Sequence, residues 1–100
     1  MKTKNTLKRF IYLICFIIPF AVSAQKIKVA CIGDSVTFGA GIKDRKENSY
    51  PAQLQKLLGD NYQVENFGFS GATLLKNGHK PYWVKKVFQE SKDFAPSIAI

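Results

Sequence analysis

The sequence predicts an α/β domain built on a parallel sheet. Three observations carry that expectation: an apolar run from Lys26 to Ile32, a strand–helix alternation after it, and turn residues at the junctions. Such alternation favours right-handed crossovers between parallel strands.

The domain is expected to begin after a leader. "MKTKNTLKRF" carries Lys2, Lys4, Lys8 and Arg9 and no acid, "FIYLICFIIPFA" is free of charge, and "VSA" puts Val22 and Ala24 at signal-peptidase positions. Residues 1–24 therefore read as a signal peptide cleaved after Ala24, with residues 25–100 exported to the periplasm or the medium. An uncleaved anchor fits less well, because a spanning helix needs about 20 apolar residues and this run is shorter and contains Pro19. A lipoprotein site at Cys15 lacks the small residues that should precede it.

In the mature part, "KIKVACI" alternates and then turns wholly apolar, as a strand buried on both faces does. "SYPAQLQKLLGD" predicts a helix capped by Ser49, with Pro51 in its first turn, Leu54, Leu57 and Leu58 as its apolar stripe, and Gly59 as its stop. "NYQVENF" is a second strand, with Tyr62, Val64 and Asn66 on one side. "GFSGATLLKNGHKPYW" is a loop with one helical turn at "ATLL". A second helix over "WVKKVFQESKDF" sets Val84, Val87 and Phe88 on one face and ends before Pro96. "PSIAI" opens a third strand. A sheet of three strands with two helices leaves an edge poorly covered, so the chain reads as the amino-terminal part of a larger α/β domain.

Charge narrows the function classes. The formal charge of +8 falls to +4 without the leader's four bases, and the remaining lysines are scattered among acids. No basic stripe suggests nucleic acid. Cys31 would be the one mature cysteine and His79 is the one histidine, so neither an intrachain disulfide nor a zinc spacing arises. Inside its apolar run, Cys31 reads as a small buried hydrophobe. "KDRKEN" reads as a solvated loop.

The chemistry-bearing stretch is "GDSVTFGAG". In an open parallel sheet, functional groups gather at the carboxyl ends of the strands, and Ser35 lies three residues past the apolar run. Gly33 is expected to permit an unusual backbone angle, and the Asp34 carboxylate to tie down the turn through backbone N–H groups. A short helix over "VTFG" would leave the Ser35 N–H facing outward. Phosphate-loop readings fail: five residues separate Gly33 from Gly39 and no Lys follows, and Asp44 replaces the last glycine of a dinucleotide fingerprint.

"GDSVTFG" resembles the first sequence block of the SGNH, or GDSL, hydrolases, and "NFGFSGATLL" resembles their second. Both occur in order at the ends of the first two strands, and the resemblance covers Lys26 to Ile100. It implies a flavodoxin-like three-layer α/β/α fold with a parallel sheet, seen here through its first β-α-β-α-β portion. It implies a serine esterase that works through an acyl-enzyme without metal or cofactor. Ser35 takes the nucleophile's role. The Ser35 and Gly71 N–H groups take the oxyanion hole, with Gly68 as second choice to Gly71. The substrate implied is a small-molecule or glycan ester, with sugar O-acetyl esters preferred to lysophospholipids, aryl esters or thioesters. The family's third-block Asn and late Asp-x-x-His do not occur in these 100 residues, so the chain alone is expected to be inactive.

Rival readings remain. Ser70 in "GFSGA" approximates a nucleophile elbow, but only two strands precede it. His79 sits in a polar loop and reads as exposed or as part of a substrate rim with Tyr82 and Trp83, rather than as a base. A non-catalytic glycan-binding relative is the alternative from another class.

Overall fold

The structure is a computed structural model that describes residues 24–100. The expected leader, apart from Ala24, lies outside the described residues. Strand β1 (Ile27–Gly33) is central and strand β2 (Tyr62–Gly68) pairs with it in parallel. The register runs unbroken from Ile27↔Tyr62 to Gly33↔Gly68. Strand β3 (Ile98–Ala99) is parallel to β1 on its other side, giving the order β2-β1-β3. The parallel α/β architecture expected from the sequence is thus present.

Burial explains why β1 lacks a polar face. Val29, Ala30 and Cys31 are at most 1% exposed because helices cover both sides of the strand. Around it lie α1 (Ser35–Phe38), α2 (Arg45–Asn48), α3 (Tyr50–Leu58) and α4 (Lys86–Asp93). Helix α2 forms inside the stretch expected to be loop, entered through Asp44 at φ +51°.

Helix α3 departs from expectation in two respects. Ser49 stands at its amino terminus, buried, but its side chain makes no capping hydrogen bond. Leu57 is 83% exposed. The inward face instead follows Pro51, Leu54, Gln55 and Leu58, spaced i, i+3, i+4, i+7. Gln55 belongs there because β2 is an edge strand with unpaired backbone groups. The Gln55 amide accepts from the Val64 N–H at 2.7 Å and donates to the Tyr62 carbonyl at 2.9 Å.

The second helix is also shorter than expected. A 3-10 turn at Tyr82–Val84 is followed by extended Lys85 (ψ 145°), and α4 starts only at Lys86. The break takes Val84 off the apolar face, and it is exposed. Val87 and Phe88 remain half-buried, with Phe88 edge-on to Tyr82 and Trp83 at 5.9 and 5.2 Å. No helical turn forms at "ATLL". Thr73 instead pairs with Pro81, its N–H donating to the Lys80 carbonyl at 2.8 Å and its carbonyl accepting from the Tyr82 N–H at 2.9 Å.

Cys31 is fully buried against Tyr50, whose phenol shares a 3.2 Å hydrogen bond with Thr37 Oγ1. Burial pushes the Cys31 thiol and the Tyr50 phenol above their ordinary values, 9.0 and 10.0; the Tyr50 hydroxyl partly offsets this for Cys31 and Thr37 does so for Tyr50, whereas Cys31 pushes Tyr50 further up. In the unfolded chain the thiol ionises first. Both groups therefore contribute full stability below pH 9.0, and that contribution is lost as pH rises through the folded-state values. Urea midpoints should fall as pH rises above 9.0, and Cys31→Ala should remove the part of the fall that begins there.

Candidate active site

The carboxyl ends of β1 and β2 open into the two loops that carry the sequence motifs. Gly33 and Gly68 are paired across the sheet, and the Phe69 N–H donates to the Gly33 carbonyl at 2.9 Å. Ser35 and Gly71 thus leave adjacent strands on the same edge, two and three residues past paired positions. Neighbouring strands lie about 4.8 Å apart, so the two loops start side by side.

Ser35 is the first residue of α1 and is half-buried. The Asp34 carboxylate accepts from the Val36 N–H at 3.0 Å and holds the turn. Neither the Ser35 N–H nor its Oγ makes a hydrogen bond among the described residues, whereas its carbonyl accepts from Gly39 and Ala40 at 2.9 and 3.0 Å. The nucleophile candidate therefore has a fixed backbone and an uncommitted hydroxyl.

Gly33 does not use a left-handed backbone, contrary to the expectation from sequence. Its smallness is needed because a Cβ there would collide with Thr37 Oγ1. Gly68 is constrained more tightly. A Cβ on it would lie 2.7 Å from the Thr37 carbonyl carbon, 2.8 Å from Phe38 Cα and closer still to the Phe38 nitrogen. Helix α1 therefore rests directly on the β2 backbone. Asn66 locks that contact, donating to the Thr37 carbonyl and accepting from the Gly68 N–H, each at 2.8 Å. Arg45 secures the other end, its guanidinium 3.8 Å from the Phe38 ring centroid and donating to the Phe38 carbonyl at 3.1 Å. Asn66 was not singled out as a functional residue. Its signal was available, since a polar residue on the inward side of a half-buried strand needs partners.

The Gly68 N–H is engaged by Asn66. The Gly71 N–H makes no hydrogen bond among the described residues. Gly71 is exposed at φ +86°, in a turn closed by the Ala72 N–H on the Phe69 carbonyl at 3.1 Å. A positive φ is what a type II turn demands of its third residue, and glycine meets that demand without strain.

Beside these turns lies a cleft of about 290 Å³, close to the lower size of small-ligand sites. Ile32, Ala72, Leu74, Tyr82 and Trp83 give it apolar walls, with Gly33, Asp34 and Thr73 completing the lining. Ser35 and Gly71 each adjoin a lining residue without lining the cleft themselves. Thr73 Oγ1 is buried there without a hydrogen-bond partner among the described residues.

The rim residues expected from sequence divide three ways. Trp83 is 37% exposed, lines the cleft, and donates from Nε1 to the Leu74 carbonyl at 2.7 Å. Tyr82 is buried, so it forms wall rather than rim, and its hydroxyl donates to the Phe67 carbonyl at 2.6 Å. His79 is exposed and does not line the cleft. Tyr82→Phe should cost about 0.5–1.5 kcal/mol, the net worth of one hydrogen bond, because the Phe67 carbonyl also lies in the β1–β2 ladder. Urea denaturation reads that cost directly.

Comparison with known proteins adds one relationship. Over 80 residues, 80% of this chain, the sequence is 46% identical to the acetylxylan esterase of Xylanibacter ruminicola. Identity at that level over that length marks the chain as a relative of that esterase. The chain spans only 17% of the length of this curated relative. No family model matches the chain, and no solved structure does.

Proposed function

We propose that the chain is the amino-terminal part of an exported SGNH-type serine esterase that removes O-acetyl groups from sugars. The observation that carries the proposal is Ser35 at the carboxyl end of the central strand, its hydroxyl and N–H uncommitted among the described residues, beside a loop that offers the Gly71 N–H. The relationship to an acetylxylan esterase supports the acetyl-ester chemistry, and acetylated xylan is the substrate class to test first.

In this reading Ser35 Oγ attacks the ester carbonyl. The Ser35 and Gly71 N–H groups face the oxyanion of the tetrahedral intermediate. Two preset donors matter because the charge they meet exists only in the transition state and intermediate. The sugar lies across the cleft, against Trp83 and Leu74. Water then releases acetate from the acylated Ser35.

The proton on Ser35 needs a base, and His79 is poorly placed to supply it. The family resemblance puts an imidazole near the carboxyl end of the full domain, beyond Ile100. Residues 25–100 alone should therefore hydrolyse p-nitrophenyl acetate no faster than buffer. The longer open reading frame should release acetate from acetylated xylan. Turnover by the isolated stretch, lost on Ser35→Ala, would show that the base lies within it. Failure of the longer protein on every acetyl ester would favour a glycan-binding relative instead.

A further inference from the structure

We propose that Lys80 is the cationic partner of the oxyanion site, an inference that rests on the assignment of Gly71 above. The loop after β2 doubles back on itself, with the Thr73 N–H on the Lys80 carbonyl and the Tyr82 N–H on the Thr73 carbonyl. That pairing returns the Lys80 side chain to Gly71. A Cβ on Gly71 would lie 3.6 Å from Lys80 Cδ and 3.8 Å from its Nζ. An exposed ammonium group thus lies beside the glycine whose N–H makes no hydrogen bond among the described residues.

The surroundings leave that charge unspent. Among the described residues the ion pairs are Lys56–Glu47 and Lys86–Glu90, and Lys80 belongs to neither. No acid occurs between Glu65 and Glu90, while Lys76, His79, Lys85 and Lys86 share the segment. Lys85 is turned elsewhere, its Nζ 5.1 Å from the Phe69 ring centroid. Asp34 is the one acid lining the cleft, and its carboxylate already accepts from the Val36 N–H.

The chemistry gives such a cation a use. As Ser35 Oγ bonds to the carbonyl carbon, the carbonyl π pair moves onto its oxygen and the serine proton passes to an imidazole base. On collapse the oxygen pair re-forms the carbonyl, the carbon–alkoxy bond breaks, and the departing alkoxide takes that proton. The oxygen carries full negative charge only between these events. An ammonium beside Gly71 lowers the energy of that interval more than that of the neutral ester, so it raises kcat rather than lowering KM.

The test is steady-state hydrolysis of neutral p-nitrophenyl acetate by the full-length protein. Lys80→Met keeps the apolar stem and removes the charge, and kcat should fall about 5- to 10-fold with KM little changed, the low end of a solvent-exposed Coulomb interaction. Lys80→Arg should stay within about twofold of the parent, and high salt should narrow the gap between parent and Lys80→Met. Wild-type kcat in Lys80→Met, or a Lys80→Arg protein as slow as Lys80→Met, would overturn the inference. Ser35→Ala run in parallel separates the two levels. If it is inactive while Lys80→Met is unimpaired, the role of Lys80 fails alone. If it is active, the assignment of Ser35 as nucleophile fails with it.

Discussion

Ser35→Ala in the full-length protein should lower kcat/KM for p-nitrophenyl acetate by at least about 10⁴, the scale seen when a triad nucleophile is removed. The melting temperature should not move. Ser35 Oγ makes no hydrogen bond among the described residues, and the α1 amino terminus is held instead by the Asp34 carboxylate on the Val36 N–H. Removing the hydroxyl thus deletes chemistry without deleting structure. Ser70→Ala is the matched control. Ser70 is exposed and its side chain makes no hydrogen bond among the described residues, so its loss should leave the backbone of Gly71 in place and turnover within about twofold. A reversed pattern would transfer the nucleophile to the second strand's loop.

The second large effect belongs to Gly68. Its Cα hydrogen is all that separates β2 from the Thr37–Phe38 peptide of α1. Gly68→Ala places a methyl group where backbone already stands, and neither strand nor helix has a flexible side chain there to yield. Overpacking of this kind costs about 1–3 kcal/mol or more. Helix α1 begins with Ser35, so the shift that relieves the clash also moves the nucleophile. A displacement of about 1 Å is enough to cost 10²-fold in rate. Gly68→Ala should therefore lower both the urea midpoint and kcat. Gly41 provides the contrast: an added Cβ there meets nothing within 4 Å, although its φ of +77° makes alanine strained. Gly41→Ala should destabilise modestly and leave kcat close to the parent's, since its backbone does not support α1.

Much of the architecture could be read from residue order. The apolar run ending at Ile32 announced a strand covered on both faces, and Gly59 at φ +79° ends α3 where the sequence places a stop. What could not be read depended on partners distant in sequence. Leu57 has the composition of a core residue, but the helix phase is set by which side chains meet β2, and Gln55 takes that face through the Tyr62 and Val64 backbone. Val84 follows the helical period on paper, yet the extended backbone at Lys85 ends that period before it reaches the sheet. In a one-dimensional reading Gly33 looks like a turn glycine and Gly68 like a lesser candidate for the oxyanion hole. In three dimensions both are contact glycines, required by the proximity of Thr37 and Phe38. The sequence marks Asn66 as a polar residue in need of partners, but which partners it and Lys80 meet is set only in three dimensions. Their importance comes from reaching Thr37 and Gly71 across 29 and 9 residues of chain.

The central claim is that the Ser35 hydroxyl is an activated nucleophile at the carboxyl edge of the sheet. The direct measurement is a fluorophosphonate reaction with the full-length protein, followed by peptide mapping of the adduct by mass spectrometry. The account predicts one phosphonyl group per chain on Ser35, prevented by prior unfolding in urea. An adduct on Ser70, or an unmodified chain that nonetheless hydrolyses acetyl esters, would contradict it.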